Sequence, residues 1–174
     1  MLGADDFLIV AIPAAALVLI ATFLTRARGA GLGRFVGLSL LVLYGISIIA
    51  LTFFPIPVST DYREFLAGID AAPRHNVIPL ATLKATASAG PRVLAYQVGG
   101  NAVLLAPFSI LVAALWPRRS SLRSILVLGF ALTLTIEVAQ LGFSSLLGVE
   151  YKSFDVDDVL LNITGVALGW CIWR

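Results

Sequence analysis

Residues 124–141 of the chain, SILVLGFALTLTIEVAQL, are apolar apart from a few hydroxyls, Glu137 and Gln140. An α-helix rises about 1.5 Å per residue, so a run of this length approaches the roughly 20 residues needed to cross a bilayer core about 30 Å thick. The run is continuous and does not alternate, which favours a membrane helix over a barrel strand. We therefore predict a transmembrane helix that carries a carboxyl group.

Four other runs of the same character lie on either side of it, at residues 7–25, 35–54, 93–116 and 156–173. The last run becomes continuously apolar only at Val159, so we expect its helix to begin within the preceding acidic segment. Of the 174 residues 59% are hydrophobic and 13% charged, whereas about a quarter are charged in soluble domains. These runs predict an all-α polytopic membrane helix bundle of about five transmembrane helices, forming a single domain.

The charged residues are sorted along the chain in a way that predicts an orientation. Arginines without any acid occupy the first connection, the third connection and the C-terminus: Arg26, Arg28, Arg34, Arg118, Arg119, Arg123 and Arg174. Because basic segments stay on the cytoplasmic side, we predict a multi-pass protein of the plasma membrane with its N-terminus outside and its C-terminus in the cytoplasm. The net charge of +2 is too small to indicate a nucleic-acid partner. The lipid bilayer is the partner that the composition predicts.

The predicted outer loop, residues 55–92, is long enough to have structure of its own. Residues 61–68 and 81–88 are expected to form two short interfacial helices, and Asn76 begins an extended apolar element between them. The hydrophobic residues of this loop predict that it lies over the bundle as a lid. His75 is expected to be solvated or hydrogen-bonded.

Several polar side chains fall within the predicted helices at similar depth in the outer leaflet. An ionisable group inside a membrane costs a few kcal/mol and is by default a candidate functional residue with a partner. If the third, fourth and fifth helices pack together, these side chains form a cluster open to the outside: Asn101, Glu137, Gln140, Asp158 and Asn162. The alternative is purely structural, with hydrogen bonds between helices and Asp155 as an N-cap whose neighbours Asp157 and Asp158 complement the helix dipole.

Small residues continue one face of the last helix below its polar end. Asp158, Asn162, Gly165 and Gly169 recur at a spacing that places them in one stripe. Glycines four residues apart allow close helix approach. We expect this stripe to draw the last helix against a neighbour.

Four motifs in order resemble the VanZ-like family over about residues 40–170. They are Asn76-x-Ile78-Pro79-Leu80, Gly100-Asn101-x-x-Leu104-x-x-Pro107-Phe108, Glu137-x-x-Gln140 and Asp155-x-Asp157-Asp158-x-x-x-Asn162-x-x-Gly165. The resemblance implies membership of a bacterial membrane family named for low-level resistance to teicoplanin-type glycopeptides. It marks as candidate functional residues Asn76, Asn101, Glu137, Gln140, Asp155, Asp158 and Asn162. Two positions depart from the pattern, with Lys152 where an arginine is expected and Ser109 where a glycine is expected.

Two hypotheses about function follow from this set of residues. In the first, the chain binds or modifies an envelope lipid, either a polyprenyl phosphate or a lipid-linked glycan, with Glu137 and Asp158 as catalytic candidates. Asp155 and Asp158 would then hold a divalent cation, Mg²⁺ or Ca²⁺, because these hard cations prefer oxygen ligands. The substrate-binding candidates are Asn76, Asn101, Gln140, Lys152 and Asn162. In the second, the chain is a non-catalytic binding or interaction protein, or a small proton-coupled transporter that uses Glu137.

Overall fold

The computed structural model of the protein describes residues 3, 5, 7–9, 11–12, 15–16, 31–68 and 75–174. The first predicted span, residues 7–25, lies for the most part outside the described residues, as do Arg26 and Arg28.

The described residues fold into helices and contain no β-strand. We number the helices α1 to α6: α1 Leu32–Phe53, α2 Thr60–Gly68, α3 Ala81–Ala89, α4 Pro91–Leu115, α5 Leu122–Leu147 and α6 Val156–Trp173. Four of them, α1, α4, α5 and α6, are long and apolar enough to cross a membrane. The predicted all-α polytopic bundle is confirmed, and the predicted short helices of the outer loop are present as α2 and α3.

Many large apolar side chains of the long helices point away from the bundle. Leu51, Val103, Val127 and Leu168 are all more than half exposed. A patch of this kind would be a liability in water, but it is the surface that lipid tails cover. The exterior of the bundle therefore agrees with a bilayer as its surroundings.

Helix α5 extends past the predicted end at residue 141 and stops at Leu147. The hydropathy falls after Leu141, but backbone geometry ends the helix, because Gly148 adopts a left-handed conformation with φ 68° and donates its N–H to the carbonyls of Ser144 and Ser145. Helix α6 begins at Val156, within the acidic segment as predicted, and Asp155 is its N-cap.

Helices α4 and α6 lie against each other at very short range. A Cβ atom at Gly165 would be 1.9 Å from the carbonyl oxygen of Ala102, and one at Gly169 would be 2.2 Å from that of Ala106. The glycine stripe of α6 thus packs on the small residues of α4, which confirms the expected close approach. Below this contact lies the apolar core, with fully buried Leu105, Ile125 and Val166.

Candidate functional site

A cavity of about 320 Å³ opens between α1, α4, α5 and α6. It lies at the end of the bundle where α1 and α5 finish and where α4 and α6 begin. One part of its wall is apolar, including Leu51, Leu104 and Ile136. Its polar lining consists of Thr52, Gln97, Asn101, Glu137, Gln140, Lys152, Asp158 and Asn162. The structure thus brings five of the predicted polar side chains, and Lys152, around one cavity.

Glu137 lies in the wall that α5 contributes and is only 3% exposed. Its Oε2 accepts a hydrogen bond of 3.0 Å from the backbone N–H of Asp155, at the N-cap of α6. No hydrogen bond from the described residues reaches its other oxygen, Oε1. One oxygen of Glu137 therefore fixes the carboxylate to the start of α6, while the other is open to a ligand in the cavity.

Asp158 connects α6 to α4 through two amide side chains. Its Oδ1 accepts hydrogen bonds of 2.8 Å from Nε2 of Gln97 and 2.6 Å from Nδ2 of Asn101. Its Oδ2 receives none from the part of the chain that the structure describes. Sequence reasoning missed Gln97, although its position four residues before Asn101 places it on the same helix face.

Asn162 and Gln140 complete the deeper wall of the cavity. Asn162 is 2% exposed and donates from Nδ2 to Oγ1 of Thr133 over 3.0 Å, but its buried Oδ1 has no partner among the described residues. Gln140 donates from Nε2 to the carbonyl oxygen of Thr52 over 2.7 Å. Each amide thus uses one of its two N–H donors within the protein, whereas the amide oxygen of Asn162 takes no hydrogen bond from the described part of the chain.

Lys152 is the one cationic side chain among the described residues that line the cavity. Its backbone is fixed by Ser144, whose hydroxyl donates to the Lys152 carbonyl at 2.8 Å and accepts from its N–H at 3.1 Å. Burial lowers the pKa of the Lys152 ammonium, and the charges of Asp158 and Glu137 oppose that shift. The cavity therefore combines two carboxyl groups with a single partly desolvated amine.

Asn76 and Asp155 lie beside the cavity and not in its lining. Asp155 Oδ1 accepts from Nδ2 of Asn76 at 2.9 Å and Oδ2 accepts from the Thr82 hydroxyl at 2.6 Å, while Oδ1 also caps α6 through the N–H of Asp157. Backbone hydrogen bonds pair Asn76 with the segment from Phe154 to Val156 as a short parallel bridge. The N-cap interpretation of Asp155 is confirmed. His75 is hydrogen-bonded, as expected, and accepts from the N–H of Phe154 at 3.2 Å.

Asp157 makes a contact that sequence reasoning did not predict. It is 1% exposed, and its two oxygens accept the backbone N–H groups of Leu80 and Leu83 at 2.5 and 3.1 Å. These N–H groups belong to the first turn of α3, whose N-cap residue Leu80 offers no capping side chain. Asp157 lies in the first turn of α6, in agreement with the dipole interpretation, and its hydrogen bonds also cap a different helix, α3, which only the fold brings next to it.

Asp155 and Asp158 are the predicted ligands of a divalent cation, and their carboxylates have different hydrogen-bond partners. Both oxygens of Asp155 already accept hydrogen bonds, whereas Asp158 retains a free Oδ2. Among the described residues, no three His, Cys, Asp or Glu side chains are grouped so as to hold a metal ion.

The residues that line the cavity lie in a part of the sequence that matches a known protein family. The family model VanZ/LLP1 matches residues 41–174, which include every cavity-lining residue named above. No curated protein and no solved structure matches the chain. Since the family model covers well over half of the sequence, the chain belongs to the VanZ/LLP1 family.

Proposed function

We propose that the protein holds the polar head of an amphiphilic envelope molecule, a polyprenyl phosphate or a lipid-linked glycan, in the cavity around Glu137. The observation that carries the proposal is a cavity with charged and amide groups on one side and apolar groups on the other, set among membrane-spanning helices. A volume of about 320 Å³ is at the lower end of ligand sites. An amphiphile suits such a cavity because its head is polar while its chain remains in the bilayer.

The position of the cavity within the bundle favours the outer leaflet in this proposal. It lies at the end of the helices opposite Arg34, Arg118 and Arg174. Because basic ends of membrane helices remain in the cytoplasm, the cavity end faces the cell exterior of a plasma membrane. Helix α3 and the Asn76 bridge are hydrogen-bonded to the start of α6 at this same end, beside the cavity.

Glu137 is the residue on which the chemical part of the proposal depends. Oε2 is fixed by a backbone N–H and Oε1 is open, an arrangement that suits a general acid or base for a bound head group. Asp158 is held by two amides and presents its own free oxygen to the same space. Asn101, Gln140 and Asn162 would orient the ligand.

The test is lipid binding by the Glu137→Gln variant. The protein and the variant are purified in the same neutral nanodiscs, and bound envelope lipids from a bacterial membrane extract are identified and quantified by mass spectrometry. We expect the wild type to retain one class of polar lipid and the variant to retain about tenfold less, since the loss of a charged hydrogen-bond acceptor costs on the order of 1.5–3 kcal/mol.

Glu64→Gln is the matched control, because Glu64 is exposed on α2 and lies outside the cavity. It should bind lipid as the wild type does. Equal lipid retention by Glu137→Gln and by wild type, with both correctly folded, would contradict the proposal.

The divalent cation and teicoplanin resistance are finer parts of the same proposal. A bridging cation at Asp155 and Asp158 predicts that lipid binding falls when EDTA replaces Mg²⁺ or Ca²⁺ in the nanodisc assay. A contribution to resistance predicts that cells that express the wild type tolerate more teicoplanin than cells that express Glu137→Gln at the same level. Unchanged lipid binding in EDTA would contradict the bridging cation. Equal teicoplanin tolerance of the two kinds of cells would contradict a contribution of this site to resistance.

A further inference from the structure

Several oxygens of the described cavity-lining side chains accept no hydrogen bond within the described part of the chain. The amide nitrogens of Gln97 and Asn101 donate to Asp158, and those of Gln140 and Asn162 donate to Thr52 and Thr133. The oxygens that take no hydrogen bond from the described residues include Oε1 of Glu137, Oδ2 of Asp158 and Oδ1 of Asn162. Each amide thus uses one of its two N–H donors within the protein, and these three oxygens, two of them from carboxyl groups, are available as acceptors to a ligand in the cavity.

Asn162 gives this pattern its strongest support. The residue is only 2% exposed, and Oδ1 has no partner among the residues that the structure describes. An amide oxygen that is buried without a hydrogen bond carries an uncompensated desolvation cost. A ligand that donates to Oδ1 would remove this cost.

The positions of the three acceptors favour donors that are spread over the ligand. Asp158 and Asn162 are four residues apart on α6 and are therefore separated by about 6 Å along the helix axis. Glu137 faces them from α5. An ammonium group has its donors on a single nitrogen and cannot reach all three positions, whereas the hydroxyls of a sugar ring lie at several points around it.

A phosphate head suits this lining poorly. It has only acceptors when fully ionised, and here it would meet two carboxyl groups, with Lys152 as the one cationic side chain in the described lining. Like charges in a partly desolvated site repel strongly. The acceptors of the cavity therefore select against phosphate as the group that enters it.

We infer that the head group held in the cavity is a sugar, whose hydroxyls donate to the free oxygens of Glu137, Asp158 and Asn162. This inference rests on the proposed function, because it names the head of the amphiphile that the proposed function places in the cavity. Any phosphate of a lipid-linked glycan then lies outside the acceptor-lined part of the cavity.

The experiment compares probes that share one alkyl chain and differ in the head. Radiolabelled dodecyl glucoside, dodecyl phosphate and dodecylammonium are bound to the protein in phosphatidylcholine nanodiscs, and binding to empty nanodiscs is subtracted. Labelled methyl glucoside, which lacks the chain, is a fourth probe. We expect dodecyl glucoside to bind at least about tenfold more tightly than each of the other three.

Two variants test the acceptors themselves. Asp158→Asn exchanges an acceptor for a donor at constant size, and Asn162→Leu removes the unpaired oxygen at similar volume. Each should weaken dodecyl glucoside binding about tenfold, and thermal unfolding in the same nanodiscs identifies a variant that does not fold. Glu150→Gln, which is exposed and outside the cavity, should bind as the wild type does.

The outcomes separate this inference from the proposed function. Tightest binding by dodecyl phosphate, lost in Glu137→Gln, overturns the sugar and leaves the proposed function standing, whereas tightest binding by dodecylammonium overturns both. Equal binding of methyl glucoside and dodecyl glucoside shows a site for soluble sugar and overturns the amphiphile. If no probe binds more to the wild type than to Glu137→Gln, both fail. Wild-type affinity for dodecyl glucoside in folded Asp158→Asn and Asn162→Leu also overturns the inference.

Discussion

The carboxylate of Asp157 joins the last membrane helix, α6, to the short helix α3. It accepts two N–H groups from the first turn of α3, which has no capping side chain of its own. Asp157→Asn keeps the size but removes the charge and turns one acceptor into a donor that faces an N–H group. We expect a loss of about 1–3 kcal/mol in the free energy of unfolding, measured as a lower thermal unfolding temperature in detergent.

Asp61→Asn is the matched control for this change. Asp61 lies in the first turn of α2 and is exposed, so its charge is screened by solvent and the substitution should alter the unfolding temperature little. Equal effects of the two substitutions would show that Asp157 has no special role in holding α3.

The contrast between Glu137 and Asp157 shows what a sequence reveals about single residues. Glu137 is identifiable because a carboxyl group within an apolar run has few structural explanations, and the depth of Asn101 and Asn162 points to the same level. Asp157 follows another acid at a helix start, where dipole complementation already accounts for it. Its true partners are Leu80 and Leu83, more than 70 residues away, and only the packing of α3 near α6 brings them there.

Among the helices, the close contact of α4 with α6 depends on glycine. Gly165→Ala would place a methyl group within 1.9 Å of the Ala102 carbonyl oxygen, a backbone atom that cannot rotate away. The helices must separate, which also moves Asn101 from Asp158. We expect a loss of on the order of 1–3 kcal/mol in stability, or more, measured as the thermal unfolding temperature, together with weaker lipid binding.

Gly142→Ala on α5 provides a control of opposite sign. Nothing lies within 4 Å of a Cβ atom at Gly142, so the substitution should stabilise the helix by up to about 1 kcal/mol. If Gly165→Ala were neutral or stabilising as well, the close packing of α4 on α6 would be wrong.

The positions of the long helices were largely predictable from the sequence. The residue at which α5 ends was not, and it shows which information hydropathy lacks. Hydropathy located the cores of α1, α4, α5 and α6, because a bilayer demands long apolar runs. It did not locate the end of α5, since Ser144 and Ser145 are polar yet helical, with Ser144 buried against the backbone of Lys152. Contacts of this kind involve the path of the following segment, which hydropathy does not contain.

For the whole molecule, the predicted orientation is what gives the cavity access to the outer leaflet. The two ends of the bundle differ in charge: Arg34, Arg118 and Arg123 lie at one end without acids, whereas the cavity end carries acids such as Asp61 and Glu150. The positive-inside rule therefore predicts that the cavity end lies outside the cell. Chemical labelling of the protein from one side of the membrane tests this orientation directly.

Single cysteines at the two ends test the orientation. In a Cys171→Ser background, which removes the one native cysteine, Glu150→Cys lies beside the cavity end and Ser121→Cys lies at the arginine-rich end, and both positions are exposed. A membrane-impermeant maleimide added to intact cells should modify Glu150→Cys, and should modify Ser121→Cys only after the membrane is disrupted. The reverse pattern would place the cavity on the cytoplasmic side. Glu137 and Asp158 would then be accessible only to head groups of the inner leaflet. Any ligand found in the nanodisc assays would in that case be assigned to the inner leaflet and not to the outer one.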